Sequence, residues 1–556
     1  MGAFDVVVLG GGTAGVHVAT EVADGGKAVA LVEAGLIGGE SAYLACLPSN
    51  SLLLSAARGK TWEDAVARRD EVTGGLDDSA PARRLARAGV TVIRGTGRIT
   101  SPGAVEVTLG PGGDGTTVSL TYSDLVIATG CEPVAPPIEG LSDIPAWTTA
   151  QSLCSPDLPR RLIVLGGGPA GCELTQIYAS FGSQVTLVEA EPRLLPGEPA
   201  FAGEILAAAL RRAGAEIYLG SRATKAERTS DGLTLALEDG TRIDADRLLL
   251  ASGRRPRLGG LGLDALGLEV TPGQALPITT RCEVSGFSGF SRVWAAGDVT
   301  GTTHTHASRY QASVVAANIL GQRREADYSA IPRCVFTTPS VFAVGVVPPD
   351  QVAEDEAPAS NGASHGAGHG AGHEARQLLR ITKAGTRLPE GARGAGLITV
   401  RAHLGDTTRA HLGQDDLGCL ELYAEGGVLV GAVAVGPDAA SWMGEVTLAI
   451  RAKISLAVLA DVVHAFPTYG EALQAALREL AGTGGTTVMT DQIEKGIVPL
   501  SELDMETPED DALEQHQEVI VDDSVTGARR EVPFDVNEAD AAEQERAVGF
   551  DDDDYR

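Results

Sequence analysis

The chain has 556 residues, too many for one hydrophobic core, so we expect two to four domains. Its net charge of −30 argues against nucleic acid and anionic membranes as partners, and no apolar run approaches the roughly 20 residues that span a bilayer. The first residues lack a secretory signal, which predicts a cytoplasmic location, and seven scattered cysteines without a CxxC pair argue against a disulfide scaffold or a cysteine-type zinc site.

A glycine-rich turn follows the first predicted strand. The apolar run 4–9 leads into Gly10, Gly12 and Gly15, and Glu33 ends a second apolar run 18 residues after the last of these glycines. In such strand–turn–helix units the first glycine makes the turn, the second lets a pyrophosphate approach and the third lets helix and strand pack closely. The helix N-terminus attracts the phosphates, and the carboxylate accepts hydrogen bonds from ribose hydroxyls.

The same pattern recurs 156 residues later along the chain. The apolar run 162–165 precedes Gly166, Gly168 and Gly171, and Glu189 ends the next apolar run at the same distance. A single GxGxxG is a weak signal, whereas two complete copies in register indicate two nucleotide-binding units.

Three further predicted strands end in turns. The runs 124–130 and 246–253 end in the glycines Gly130 and Gly253, and the run 292–298 ends in Asp298, whose carboxylate is suited to bind a polyol. Taken singly, these are ordinary strand-ending loops, so only their order along the chain is informative.

Two segments differ from the rest in composition. Residues 351–396 are rich in Gly, Ala and Ser, which predicts a flexible insertion; the glycines between His365, His369 and His373 disfavour a helical metal-binding face, so we predict no metal site. Residues 491–556 hold 22 acidic and 5 basic side chains, which predicts that the region from 486 to 556 is a disordered tail. A segment that orders on a protein partner is the alternative.

The order of these motifs resembles that of the pyridine nucleotide–disulfide oxidoreductases, the flavoprotein family of dihydrolipoamide dehydrogenase, glutathione reductase and mercuric reductase. The resemblance runs from about residue 3 to residue 480. It implies an α/β fold with two Rossmann-like nucleotide-binding domains and an α+β C-terminal domain that forms a homodimer. The implied domains are FAD-binding (1–150 and 275–328), NAD(P)-binding (151–274) and dimerisation (329–485).

The resemblance also implies the cofactors and their ligands. FAD is implied at Gly10, Gly12, Gly15, Glu33, Gly39, Thr129, Gly130 and Asp298. The nicotinamide cofactor is implied at Gly166, Gly168, Gly171, Glu189 and Gly253. Because the Glu189 carboxylate would bind free ribose hydroxyls and repel a 2′-phosphate, we expect NADH, with NADPH as the alternative since Arg193 is close in sequence.

In this family electrons leave the flavin through a disulfide in a segment of the form GGTCLNxGCIPSK. The matching stretch, 38–50, keeps Cys46 as the thiol implied nearest the flavin but has Ser41 in place of the second cysteine and Asn50 in place of the lysine. Thiol–disulfide exchange needs a second sulfur, so we expect no dithiol relay. Cys46 could then be a thiolate, a sulfenic acid or an inert thiol. The lysine's carboxylate partner persists as Glu173, whose pKa should rise if it is buried without that cation.

The family's C-terminal HxHPTxxE motif corresponds to residues 464–471 here. Phe466 replaces the acid/base histidine and cannot carry a proton, so we expect it to form an apolar wall for a planar acceptor. Glu471 then has no imidazole to orient and is expected to be a structural hydrogen-bond acceptor. The Phe466–Pro467 bond is expected to be cis.

The changes at Ser41, Asn50 and Phe466 affect one half-reaction, whereas both glycine fingerprints are intact. We therefore expect an FAD-dependent NAD(P)H oxidoreductase that passes hydride from NADH to FAD and then electrons directly to a small, quinone-like acceptor. One alternative is a flavin-binding scaffold or regulatory subunit with little turnover, which Asn50 and the acidic tail favour. The other is a disulfide reductase like dihydrolipoamide dehydrogenase that uses Cys46 with a partner thiol.

Overall fold

A computed structural model describes residues 2–110, 115–287, 289–348, 397–413 and 417–483. The insertion predicted at 351–396, with its three histidines, and the tail predicted at 486–556 lie outside the described residues. No helix in these ranges is long and apolar enough to cross a membrane.

The strands and helices are numbered here in chain order. The strands are β1 (Gly2–Ala3), β2 (Val6–Leu9), β3 (Val29–Glu33), β4 (Thr91–Ser101), β5 (Ala104–Leu109), β6 (Thr117–Thr121), β7 (Asp124–Ile127), β8 (Cys131–Pro133), β9 (Trp147–Thr148), β10 (Arg161–Leu165), β11 (Gln184–Val188), β12 (Glu216–Tyr218), β13 (Ala223–Thr229), β14 (Gly232–Leu237), β15 (Arg242–Ala245), β16 (Arg247–Leu250), β17 (Arg254–Pro256), β18 (Arg292–Ala295), β19 (Arg333–Val335), β20 (Ser340–Gly345), β21 (Ile398–His403), β22 (Cys419–Glu425) and β23 (Val428–Gly436). The helices are α1 (Thr13–Asp24), α2 (Gly39–Tyr43), α3 (Cys46–Ala57), α4 (Trp62–Val72), α5 (Ser79–Arg87), α6 (Thr149–Cys154), α7 (Pro169–Ser180), α8 (Ala200–Arg212), α9 (Thr305–Ile319), α10 (Thr408–Gly413), α11 (Ala439–Trp442), α12 (Gly444–Ala452), α13 (Leu456–Ala460) and α14 (Gly470–Thr483).

The first sheet has eight strands in the order β1-β6-β5-β4-β3-β2-β7-β18. Strands β4, β3, β2, β7 and β18 pair in parallel, and β4, β5 and β6 form an antiparallel meander. One face packs on α1 and α9, with Val18 and Val315 in one apolar core, and the other face packs on residues of the meander such as Val105. Because β18 returns from late in the chain to pair with β7, Asp298 lies at the same edge as the first glycine turn.

The second sheet is entirely parallel, in the order β12-β11-β10-β16-β9. Its central strands β10 and β16 are almost wholly apolar, as expected for strands that are covered on both faces. The domain boundary predicted at residue 150 falls inside α6, which follows β9 of this sheet. A short antiparallel pair, β8 with β17, joins the two nucleotide-binding units, and β13, β14 and β15 form a separate antiparallel sheet.

The third unit is an antiparallel sheet in the order β19-β20-β23-β22-β21. One face packs on α12 and α14 through Val446, Leu473 and Leu477, and the other packs on α8 through Phe201 and Leu206. Two sheets with Rossmann-like parallel cores and an α+β unit confirm the predicted fold class.

Candidate cofactor and electron-transfer site

A cleft of about 1850 Å³ is lined by residues of both nucleotide-binding units. Most residues predicted to bind a cofactor line it, namely Gly10, Gly12, Glu33, Gly39, Thr129, Gly130, Asp298, Gly166, Gly168, Glu189 and Gly253. Gly15 and Gly171, the third glycine of each fingerprint, are buried where each helix packs on its strand and do not line the cleft.

The first glycine loop has the clearances that a dinucleotide requires. Gly10 has a φ of +103°, and a Cβ there would lie 2.3 Å from the Ala128 carbonyl oxygen. A Cβ on Gly15 would lie 1.8 Å from the Gly10 carbonyl oxygen, whereas a Cβ on Gly12 would meet no atom closer than 4.0 Å. Gly12 therefore leaves room at the N-terminus of α1, which has no side-chain cap. Its unpaired N–H groups suit a pyrophosphate.

The second glycine loop repeats this geometry. A Cβ on Gly166 would lie 2.5 Å from the Ala251 carbonyl oxygen, and one on Gly171 would lie 1.8 Å from the Gly166 carbonyl oxygen. A Cβ on Gly168 would meet nothing within 4 Å, and α7 also begins without a side-chain cap. Both loops therefore fit a dinucleotide.

The two fingerprint glutamates brace their own glycine loops. Glu33 accepts hydrogen bonds from the Gly11 N–H and, at 2.5 Å, from the Gly35 N–H. Glu189 likewise accepts hydrogen bonds from the Gly167 N–H and, at 2.8 Å, from the Glu191 N–H. A carboxylate has about four acceptor positions, so each retains capacity for ribose hydroxyls.

Arg193, which could have favoured a 2′-phosphate, is engaged elsewhere. Its guanidinium donates to the carbonyl oxygens of Pro196 and Glu198, both at 3.3 Å. These bonds hold the loop after Glu189 and direct the cation to the protein backbone.

A charged cluster that sequence reasoning missed lies on the side of the cleft that the first glycine loop lines. Glu40 pairs with Arg254 and, at 3.2 Å, with Arg257, and both guanidinium groups donate to the Cys131 carbonyl oxygen at 3.0 Å. These contacts tie β17 to α2. Burial raises the pKa of the nearby Asp298 carboxyl to about 6; Arg254 opposes this rise and Glu40 adds to it. The Thr129 hydroxyl donates to the Arg257 carbonyl oxygen at 2.7 Å and so links the 124–130 turn to this cluster.

The polar contact of Cys46 is a hydroxyl group and not a second sulfur. Cys46 is exposed at the first position of α3, and its Sγ lies 3.3 Å from the Thr305 Oγ1. The same hydroxyl lies 2.9 Å from the Ser41 Oγ. Thr305 thus bridges the two positions where the family carries its cysteine pair. No disulfide joins any of the seven cysteines, all of which lie in the described ranges.

The lysine–carboxylate pair of the family is replaced here by Asn50 and Glu173, and each of these side chains has a different partner. Asn50 donates to the Cys46 carbonyl oxygen at 3.0 Å. Glu173 instead accepts hydrogen bonds from the Ser49 hydroxyl at 2.7 Å and the Phe336 N–H at 3.0 Å. Burial raises the pKa of Glu173, and these two hydrogen bonds oppose the rise. The predicted direction is confirmed.

The C-terminal motif lies away from this cleft within one chain. Phe466 is 72% exposed, and neither it nor Glu471 lines the cleft. Glu471 accepts a hydrogen bond from the Thr408 N–H at 3.2 Å, and the His464 imidazole lies 3.0 Å from a Glu445 oxygen. The Phe466–Pro467 bond is cis, as predicted.

Several cleft residues carried no sequence motif that would have identified them. Glu40, Arg254, Arg257, His304, Thr305 and Arg333 all line the cleft. The THTH run at 303–306 is visible in the sequence, but no spacing rule connects it to Ser41 or Cys46. Among the residues with described positions, no group of three His, Cys, Asp or Glu side chains is arranged to hold a metal ion.

Comparisons with known proteins agree with this geometry. Residues 4–317 match the model of the pyridine nucleotide-disulphide oxidoreductases, and residues 388–477 match the dimerisation domain of that family. The chain is 28% identical to a dihydrolipoyl dehydrogenase of Geobacillus stearothermophilus, over 86% of this chain and 96% of the relative. It is 30% identical to a dihydrolipoyl dehydrogenase of Pseudomonas aeruginosa, over 85% of this chain and 97% of the relative.

A solved structure shares the fold along most of the chain. The Cu(II) complex of RclA, an HOCl-induced flavoprotein disulfide reductase from Escherichia coli, superposes with a TM-score of 0.72 at 25% identity, covering 86% of this chain and 100% of that structure. The family model spans more than half of the chain, and both glycine loops have the clearances that its cofactors need. The chain therefore belongs to the pyridine nucleotide-disulphide oxidoreductases, whose members use FAD and NAD(P)H.

Proposed function

We propose that this protein oxidises NADH and passes the electrons to a small acceptor without a dithiol relay. The observation that carries the proposal is the Thr305 hydroxyl, which contacts both Cys46 and Ser41 where a relay would need two sulfurs. A hydroxyl group cannot form a disulfide, so this site has no means of storing electrons as a dithiol.

The chain's own residues bind and orient the two cofactors. The open positions at Gly12 and Gly168 would admit the two pyrophosphates, and Glu33 and Glu189 would hold the ribose hydroxyls. FAD bound here would supply hydride acceptance from the nicotinamide and electron delivery to the acceptor, chemistry that no side chain provides. Glu189 favours NADH over NADPH because a 2′-phosphate would lie against its carboxylate.

The acceptor would reach the cleft from the side of Cys46 and Thr305. The match to a dimerisation domain supports a homodimer. Phe466 is largely exposed within one chain, so a second copy could place its Phe466 over the cleft of the first. We propose that this phenyl ring forms an apolar wall against which a planar, quinone-like acceptor packs.

Disulfide reduction is the second candidate, and the names of the relatives favour it. RclA is named a flavoprotein disulfide reductase, and the two relatives are named dihydrolipoyl dehydrogenases. In this chain the reaction would require Cys46 to form a mixed disulfide that a thiol from the substrate or a partner then resolves.

A two-stage, oxygen-free stopped-flow experiment separates these functions. NADH is first mixed with the FAD-loaded protein, and the flavin absorption band is followed. The reduced protein is then mixed with menadione, with lipoamide or with oxygen. The proposal expects rapid bleaching by NADH and rapid recovery with menadione but not with lipoamide. Recovery with lipoamide that disappears in Cys46→Ala would establish the disulfide reductase, and no bleaching by NADH would indicate a flavin-binding scaffold.

A further inference from the structure

A histidine without a hydrogen-bond partner lies in the cleft wall between two anchored residues. His304 directly precedes α9, whose first residue, Thr305, contacts Ser41 and Cys46. On the other side, the His306 ring nitrogen Nε2 lies 2.5 Å from the Pro332 carbonyl oxygen. Both neighbours therefore fix the backbone at His304, whose half-buried side chain lines the cleft.

The His304 imidazole is held by packing alone. Its ring centroid lies 5.3 Å from that of His306, and within the described part of the chain neither of its nitrogens has a hydrogen-bond partner. Half-buried polar groups that line a ligand cleft usually find their partner in the ligand or in water. The ring nitrogens are thus available to a molecule in the cleft.

The surroundings keep this imidazole neutral. Burial, together with the nearby His306 and Arg333, lowers the pKa of His304 to about 4. Arg333 itself is paired with Glu198 through bonds of 2.6 and 2.8 Å. A neutral imidazole has one N–H donor and one nitrogen acceptor, so at neutral pH it can donate a hydrogen bond but carries no imidazolium proton.

We propose that the His304 imidazole donates a hydrogen bond to a carbonyl oxygen of the electron acceptor and so selects quinones. This inference rests on the function proposed above. In the overall reaction NADH, a quinone and one proton give NAD⁺ and a hydroquinone. NADH supplies two electrons and one hydrogen as hydride, and water supplies the remaining proton. The imidazole stays neutral throughout and stabilises the oxygen on which negative charge develops.

The test compares His304→Leu, His304→Gln and the wild type, all loaded with FAD. Menadione and ferricyanide serve as acceptors, since ferricyanide is a one-electron oxidant without a carbonyl group. We expect His304→Leu to lower kcat/KM for menadione by about 10- to 100-fold, because a donor to a developing oxyanion is lost. Ferricyanide turnover and the rate of flavin bleaching by NADH should stay near wild type. His304→Gln retains an N–H donor and should recover part of the menadione activity.

A binding measurement without turnover provides the second readout. Menadione is titrated into the oxidised holoprotein in the absence of NADH, and the change in flavin absorbance gives its Kd. His304→Leu should raise this Kd by about 2- to 10-fold, the effect of one neutral hydrogen bond. His403→Leu, which replaces an exposed imidazole on β21 outside the cleft, is the matched control and should change neither measurement.

Two outcomes would overturn the inference while leaving the proposed function in place. One is menadione reduction that is unchanged in His304→Leu. The other is an equal loss in the rate of flavin bleaching, which would assign the imidazole to the nicotinamide. If NADH bleaches the wild-type flavin but menadione does not restore it, the proposed function and the inference both fail.

Discussion

The glycine loops and the proposed electron-exit site around Ser41, Cys46 and Thr305 share one cleft, yet different parts of the chain build them. Each loop is shaped by its own backbone: in both copies a Cβ on the third glycine would lie 1.8 Å from the carbonyl oxygen of the first. The exit site is assembled from side chains of separate segments, with Thr305 between Ser41 and Cys46 and with Glu173 between Ser49 and Phe336.

Under the proposed function, this difference explains how the chain keeps its cofactor sites without a dithiol relay. A side chain on the first or third glycine of a loop would collide with closely packed backbone. At Ser41 a hydroxyl stands where the family has a thiol, and the fold accommodates it through a hydrogen bond with the Thr305 hydroxyl at 2.9 Å. Gly15→Ala tests the backbone constraint, and Cys46→Ala tests how far the exit site tolerates a change of side chain.

Gly15→Ala should have the largest effect. The added Cβ would lie 1.8 Å from the Gly10 carbonyl oxygen, so α1 must move away from β2. We expect the free energy of unfolding to fall by more than about 3 kcal/mol, beyond the usual cost of overpacking, together with loss of FAD. Urea unfolding followed by circular dichroism measures this change. Gly444→Ala, where a Cβ would meet nothing within 4 Å, is the control and should remain folded and yellow.

Gly12→Leu and Gly168→Leu should each block one of the two glycine loops without unfolding the protein. Both positions are open, so each side chain would occupy the space of one pyrophosphate. Gly12→Leu should purify folded but colourless. Gly168→Leu should stay yellow while its flavin is reduced by NADH at least about 100-fold more slowly, as expected when a reactant is displaced. A colourless Gly168→Leu variant would mean that the two cofactors are assigned to the wrong loops.

Glu189→Arg should change the preference between nicotinamide cofactors by a smaller factor. The ratio of kcat/KM for NADH to that for NADPH should fall by at least about tenfold, since a carboxylate that repels a 2′-phosphate becomes a cation that binds it. The substitution also removes the acceptor of the Gly167 and Glu191 N–H groups. Glu189→Gln, which keeps an acceptor oxygen but no charge, separates these causes. An unchanged ratio in both variants would remove Glu189 from the cofactor site.

The glycine loops and the exit site also differ in how much of each could be predicted from the sequence. The glycine loops were predictable because one short segment contains the strand, the turn and the helix N-terminus, so spacing alone encodes the geometry. The raised pKa of Glu173 was predicted from the missing lysine at Asn50 on the condition that Glu173 is buried, and burial is the cause of the rise. Both predictions needed only local sequence or one matched motif.

The exit site depends on contacts that no local pattern encodes. Thr305 lies 264 residues after Ser41, and Glu40 meets Arg254 from 214 residues away. These pairs form only when the first sheet closes with β18 and when β17 pairs with β8. Phe466 illustrates the same limit, because it is exposed within one chain and the acceptor wall proposed for it depends on a second copy.

Cys46→Ala should have the smallest effect and is the sharpest test of the exit site. If electrons pass directly to the acceptor, removing this thiol should leave NADH–menadione kcat/KM within about threefold of wild type, because the cofactor carries the redox chemistry. Cys154→Ala, at the end of α6 and outside the cleft lining, controls for the loss of a cysteine as such. A loss of menadione reduction in Cys46→Ala but not in Cys154→Ala would place the thiol in the electron path. Thr305→Val then identifies the cause, because valine keeps the shape of threonine but lacks the hydroxyl that contacts Cys46. A loss of menadione reduction equal to that in Cys46→Ala would indicate that the hydroxyl activates the thiol.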